Sequence, residues 1–202
     1  MSDELAQSRE LLRQQLRTRR RALPAALRIQ AAERLARQLL AMPLAPESGH
    51  VAGYWAMDGE IALHAWQVHL PSDCVYCLPV LHGDRLRFAP WRPGDALVGN
   101  RFGIPEPDVP AGSLIDARDM TLVVVPLVGF DRSGNRIGMG GGWYDRSFDF
   151  RQHQPAPPWL VGAAFADQQL DTIRSADWDV ALDVVCTDAG NFDCRAELAS
   201  PH

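Results

Sequence analysis

From residue 50 onward the chain carries five short, unbroken apolar runs: HVAGYWA (50–56), CVYCLPV (74–80), TLVVVPLV (121–128), WLVGAAFA (159–166) and DVVCT (183–187). A strand with one wet face alternates apolar and polar residues, whereas a strand covered on both faces does not. The missing alternation therefore predicts strands of a mainly parallel sheet with helices on both sides. DRLRFAPW (84–91) does alternate and reads as an edge or antiparallel strand. Helical candidates at 61–70 and 143–152 fall between the runs, which completes an α/β pattern, a three-layer α/β/α domain.

Ahead of the sheet the period is different. Residues 3–22 read as a helix, with Leu5, Leu12, Leu16 and Leu23 along one side and Arg9, Arg13 and Arg17 recurring every four residues on another. Pro24 interrupts, and a second helix over 25–41 carries Leu27, Ala31, Leu35 and Leu39 as its apolar stripe before Pro43 and Pro46 stop it. A chain of 202 residues without internal repeats is expected to form one domain, an N-terminal helical pair at 3–41 and an α/β core at 50–190. HQPAPPW (153–159) is a connector, and the terminal ELASPH is expected to fray.

Several kinds of chemistry are excluded. All twenty basic residues are arginine, so there is no Schiff-base lysine and no P-loop lysine. Any bound anion must be held by arginine and backbone amides. The four cysteines, Cys74, Cys77, Cys186 and Cys194, lack the paired spacing of a zinc ribbon and read as inert thiols, with Cys74 and Cys77 on opposite faces of one strand. The six histidines form no HxH or HExxH pair, and no GxSxG elbow occurs. No apolar run approaches the ~18–20 residues of a membrane helix. MSDELAQSRELLRQQ contains no apolar core of a secretory signal, so a cytoplasmic location is expected. A formal charge of −5, without an aromatic-interleaved basic surface, argues against nucleic acid as the partner.

GFDRSGNRIGMGGGWYDRSF (129–148) holds six glycines between an apolar run and a helix candidate. In that arrangement backbone N–H groups can face an anion, and Gly138, Gly140, Gly141 and Gly142 allow close approach. Arg136 and Arg146 could add charge, although a purely structural turn fits the same residues. It is neither a P-loop nor a dinucleotide fingerprint. Asp145 either complements a helix dipole or holds Mg²⁺ on phosphates, and spacing does not decide between them. In WAMDGEI (55–61), Trp55 ends a strand and Glu60 lies on the following turn, where open α/β sheets bind ligands.

Together these segments resemble the 5-formyltetrahydrofolate cyclo-ligase family. The likeness is strongest in VPLVGFDRSGNRIGMGGGWYDRSF (125–148) and extends to R-x-x-L-R at 9–13, the Glu of DGEI, FGIPEP (102–107) and DWDVALDVVCTD (177–188). The resemblance implies an ATP- and Mg²⁺-dependent ring closure of 5-formyltetrahydrofolate to 5,10-methenyltetrahydrofolate through a phosphorylated formyl group. It implies small-molecule partners, no membrane and a monomer. ATP would be bound by Arg9, Arg13, Arg136, Gly138, Met139, Gly140, Gly141, Gly142, Trp143 and Tyr144, with Arg136 and Tyr144 catalytic. The folate would meet Trp55, Glu60, Phe102, Met139 and Trp143, and Mg²⁺ would be held by Asp145 and Asp179. Where some members carry basic residues this chain has Met139 and Gly141, the first tyrosine of a Tyr-Tyr pair is Trp143, and Leu63 replaces a frequent threonine. A sugar-phosphate isomerase or acyl-CoA transferase of the same architecture would need no ATP hydrolysis, and a folate- or RNA-binding module would show no turnover.

Overall fold

The computed structural model describes residues 2–195. Its elements are α1 (Ser2–Ala22), α2 (Ala25–Ala41), β1 (Gly49–Ala52), α3 (His64–Gln67), β2 (Cys74–His82), β3 (Arg85–Pro90), β4 (Leu97–Gly99), β5 (Pro105–Pro107), β6 (Leu122–Pro126), β7 (Gly129–Phe130), β8 (Arg136–Ile137), α4 (Trp143–Ser147), β9 (Trp159–Ala164), β10 (Val184–Thr187) and β11 (Asn191–Asp193). Seven strands form the main sheet in the order β11-β10-β9-β6-β1-β2-β3, and β4-β5 and β7-β8 form small antiparallel ladders. The inner five strands are parallel, and the two edges, β3 and β11, run antiparallel to their neighbours.

The unbroken apolar runs have a direct cause in β6. Val123 and Val125 enter a core with Phe88, Phe130 and Phe148, while Leu122 and Val124 enter the opposite one with Leu35, Leu39 and Trp66. Cys77 and Cys74 likewise lie on opposite faces, and Cys74, Cys77 and Cys186 are free thiols. Burial pushes the Cys77 and Cys186 thiols up to about 12, so both stay protonated and unreactive at neutral pH. The alternating segment 84–91 is β3, an antiparallel edge as its pattern predicts.

The helical pair divides its work. In α2, Ala31, Leu35 and Leu39 are buried against the sheet, but Leu27 in the first turn stays 48% exposed and lines a shallow cleft with Phe165. In α1, Leu16 and Leu12 pack on Val128, Ile137 and Ile173, so this helix covers the β7–β8 hairpin.

Several elements are shorter than the sequence predicts. The 61–70 helix is only His64–Gln67. The 143–152 segment splits into the five-residue α4 and a 3-10 turn, Asp149–Gln152, because Phe148 leaves the helical region to reach the core. β1 stops at Ala52, and the turn behind it runs through Asp58 and Gly59, both at positive φ. β11, three residues long, is an addition that its sequence does not announce. ELASPH lies outside the described residues. Among those described, no helix is long and apolar enough to cross a membrane.

From β1 the strand order runs to β2 on one side, and from β6 it runs to β9 on the other. The crevice beyond the carboxyl ends of β1 and β6 is thus a topological switch point, where open α/β sheets bind ligands. Residues 53–60 enter it from β1, and the β7–β8 hairpin and glycine loop follow β6.

Candidate functional site

The glycine-rich segment has two parts. Its first half is a structural hairpin: buried Asp131 accepts from the N–H groups of Ser133 and Asn135 at 3.0 Å and of Ile173 at 2.8 Å. Its second half, 138–142, is an open loop lying against α1. Arg13 Nε donates to the Gly138 carbonyl at 2.8 Å, and a Cβ on Gly140 (φ +93°) would stand 3.4 Å from Arg13 Cζ. Gly142, at φ +63°, turns the chain into α4, a conformation that favours glycine.

Two arginine–carboxylate pairs lie beside this loop. Arg136 donates from Nη2 to Asp145 Oδ1 at 2.6 Å and from Nη1 to the Val180 carbonyl, while the Val180 N–H donates to the same Asp145 oxygen at 3.2 Å. Arg9 pairs with Asp179 and also donates to the Arg174 carbonyl at 2.9 Å, and Asp179 accepts from the Ala176 N–H at 2.8 Å. Arg13 pairs with Glu10. The structure therefore gathers Arg9, Arg13, Arg136, Asp145, Asp179 and the loop at 138–142.

Among the described residues no cluster of three or more His, Cys, Asp or Glu side chains could cage a metal. Mg²⁺ does not need one, because it takes one or two carboxylates and completes its shell with phosphate oxygens and water. Asp145 fits that role: among the described residues its hydrogen bonds all fall on Oδ1, leaving Oδ2 available. Asp179 has the right chemistry, but Arg9 reaches both of its oxygens.

The apolar side of the crevice is built from residues after β1, from the 100–103 turn and from α4. Burial raises the Glu60 carboxyl above the ordinary 4.5, although the Met57 N–H donates to its Oε2 at 3.0 Å and Arg20 Nη1 stands 3.8 Å from Oε1. Tyr144 stacks on Phe148, with rings 6.3 Å apart and 15° between planes. Burial, then the Glu60 charge, hold its phenol well above the usual value, so it remains a neutral donor. Phe102 meets Trp143 edge to face at 6.2 Å, and exposed Met139 lies in the loop. Trp55 meets Trp91 edge to face at 5.7 Å. Leu63 is a core residue packed near Trp66, so its departure from threonine concerns packing.

Arg20 and Asp58 were not singled out by the sequence. The Arg20 guanidinium is fully buried and donates to the Asp58 carbonyl at 3.1 Å, to Asp58 Oδ2 at 2.9 Å and to the Leu127 carbonyl at 3.1 Å. It joins the segments that leave β1 and β6. Arg17 and Arg21 also pair with Asp58, which sits at φ +52°. The signal was present in the helical spacing of Arg9, Arg13, Arg17 and Arg20, but a run of charges on a helix ordinarily reads as a solvated face.

Residues 5–188 match the model of the 5-formyltetrahydrofolate cyclo-ligase family. The chain is 33% identical over 181 residues to a 5-formyltetrahydrofolate cyclo-ligase of Haemophilus influenzae, spanning 87% of this chain and 95% of that protein. It is 33% identical over 177 residues to the Escherichia coli protein of the same description, spanning 85% and 96%. Among solved structures, the 5,10-methenyltetrahydrofolate synthetase of Aquifex aeolicus superposes with a TM-score of 0.79 at 26% identity, covering 96% of each chain.

Proposed function

This chain belongs to the 5-formyltetrahydrofolate cyclo-ligase family, and from that premise we propose that it converts 5-formyltetrahydrofolate and ATP to 5,10-methenyltetrahydrofolate, ADP and phosphate. The observation that carries this reading is the pairing, at one switch point, of a glycine loop lined by arginines with an aromatic wall containing a buried carboxyl.

In the first step the formyl oxygen attacks the γ-phosphorus and ADP departs, leaving an imidate-like phosphate. N10 then attacks the activated carbon and loses its proton, and phosphate leaves as the ring closes. Both steps depend on placing reactants and neutralising charge, which a rigid site supplies. Arg13 and the N–H groups of 138–142 receive the phosphates, and Arg136 holds the loop to Asp145. Mg²⁺ held by Asp145 and Asp179 would neutralise charge on the nucleotide. The Arg9–Asp179 pair opens for both residues to serve the nucleotide. Glu60 hydrogen-bonds the pterin, with neutral Tyr144 beside it and Phe102 and Trp143 along the substrate's aromatic parts.

The test is to mix purified protein with 5-formyltetrahydrofolate, ATP and Mg²⁺ and to follow methenyl absorption together with ADP. Product and ADP should form in equal amounts. Folded protein giving neither would sink the proposal. Turnover of other substrates without folate-dependent ADP would point to the isomerase or transferase alternative.

A further inference from the structure

Two guanidinium groups converge on one aromatic platform at the edge of the site. Phe102 is 56% exposed and meets Trp143 edge to face. Arg101 Cζ lies 5.2 Å from the Phe102 ring centre and 5.0 Å from that of Trp143. Arg146 Cζ lies 5.0 Å from Trp143. Arg146 is fixed there, because its Nε donates to the Asp84 carbonyl at 2.8 Å and its Nη1 would stand 2.7 Å from a Cβ on Gly142. Among the described residues neither arginine has a carboxylate within 4.0 Å. Arg9, Arg13 and Arg136, by contrast, each hold one.

Cations laid against aromatic rings and left without a counter-ion match a ligand that is aromatic at one end and multiply anionic at the other. A nucleotide phosphate already has Arg13 and the loop amides, on the α1 side of the glycines. The p-aminobenzoyl-glutamate portion of a folate has the required character. We infer that Arg101 and Arg146 bind the glutamyl carboxylates of the folate tail, including further γ-linked glutamates, with the benzoyl ring against Phe102 and Trp143. This rests on the proposed function, since it assigns the tail of that same substrate.

The experiment compares 5-formyltetrahydropteroate, which lacks glutamate, with the mono- and triglutamate forms of 5-formyltetrahydrofolate. Calorimetric binding and kcat/KM are measured for the wild type, Arg101→Ala, Arg101→Lys and Arg146→Gln. The wild type should prefer the triglutamate to the pteroate by about tenfold or more, and Arg101→Ala should shrink that preference to about twofold. Arg101→Lys should keep part of it, Arg146→Gln should reduce it, and added salt should weaken it in the wild type. An unchanged preference in Arg101→Ala, or an effect confined to the KM for ATP, would overturn the inference while leaving the proposed function standing. A wild type that binds no formylfolate would overturn both.

Discussion

Arg20 and Asp58 form an ion pair at 2.9 Å in which the guanidinium has no solvent exposure, and the same guanidinium reaches Leu127 across the switch point. A buried pair of this kind is weak evidence for net stability: without Arg20, Asp58 keeps Arg17 and Arg21 and the Leu127 carbonyl keeps Gln168, but the Asp58 carbonyl loses its donor and the two segments lose their tie.

Arg20→Met should therefore lower the unfolding free energy by about 2 kcal/mol, read from urea denaturation at neutral pH. A loss below about 1 kcal/mol would mean that water replaces the guanidinium, and that the pair does not hold the two segments together.

Asp145→Asn separates the metal-ligand role from a structural one. An amide oxygen can still accept from Arg136 and Val180, so the protein should stay folded, with stability lower by about 1–2 kcal/mol. The Mg²⁺-ATP-dependent rate should fall by about 100-fold, a size typical of losing one preorganised charge contact. An equal fall in stability and activity would assign Asp145 to the fold instead.

Glu60 predicts a pH dependence with a defined sign. Its folded pKa is raised above 4.5, chiefly by burial, so the native state retains a proton that the unfolded chain has released. The contribution of Glu60 to stability is complete below 4.5 and is lost as pH rises through the raised value. Glu60→Gln removes that loss. The unfolding free energy of the variant minus that of the wild type should be flat in acid and climb toward neutral pH, measured by denaturation across the range. A falling difference would place Glu60 among carboxylates stabilised by Arg20.

Gly142→Ala puts a side chain at φ +63° and its Cβ 2.7 Å from Arg146 Nη1. The strain should cost about 1–2 kcal/mol in thermal unfolding. The KM for ATP should rise, because the distorted backbone belongs to the loop proposed to take the phosphates, and the KM for polyglutamylated folate should rise with it, because the clash displaces Arg146.

Much of this was legible in the residues. The runs at 121–128 and 159–166 announced strands covered on both faces, and the alternation of 84–91 announced an edge. The segment 125–148 carried most of the family likeness. What stayed hidden was tertiary. Phe148 cuts the helix after α4 because the core takes its ring, which no local propensity records. The resemblance assigns Trp55 to the folate, and the contact of its ring with Trp91 is visible only in the structure. Arg20 looks in the sequence like its neighbours Arg19 and Arg21, and only docking of the helix removes it from water. The pairing of Arg9 with Asp179 joins residues 170 positions apart, beyond any spacing argument.

The placement of α1 has a further consequence. Its arginines are fastened to carbonyls of four separate segments, at Asp58, Leu127, Gly138 and Arg174, while Leu16 and Leu12 provide its apolar footing on the hairpin. Seating of the helix and assembly of the proposed phosphate site are thus one equilibrium. A nucleotide that binds only the seated form draws that equilibrium toward itself in proportion to its occupancy. Amide hydrogens along α1 should exchange more slowly once ATP is bound.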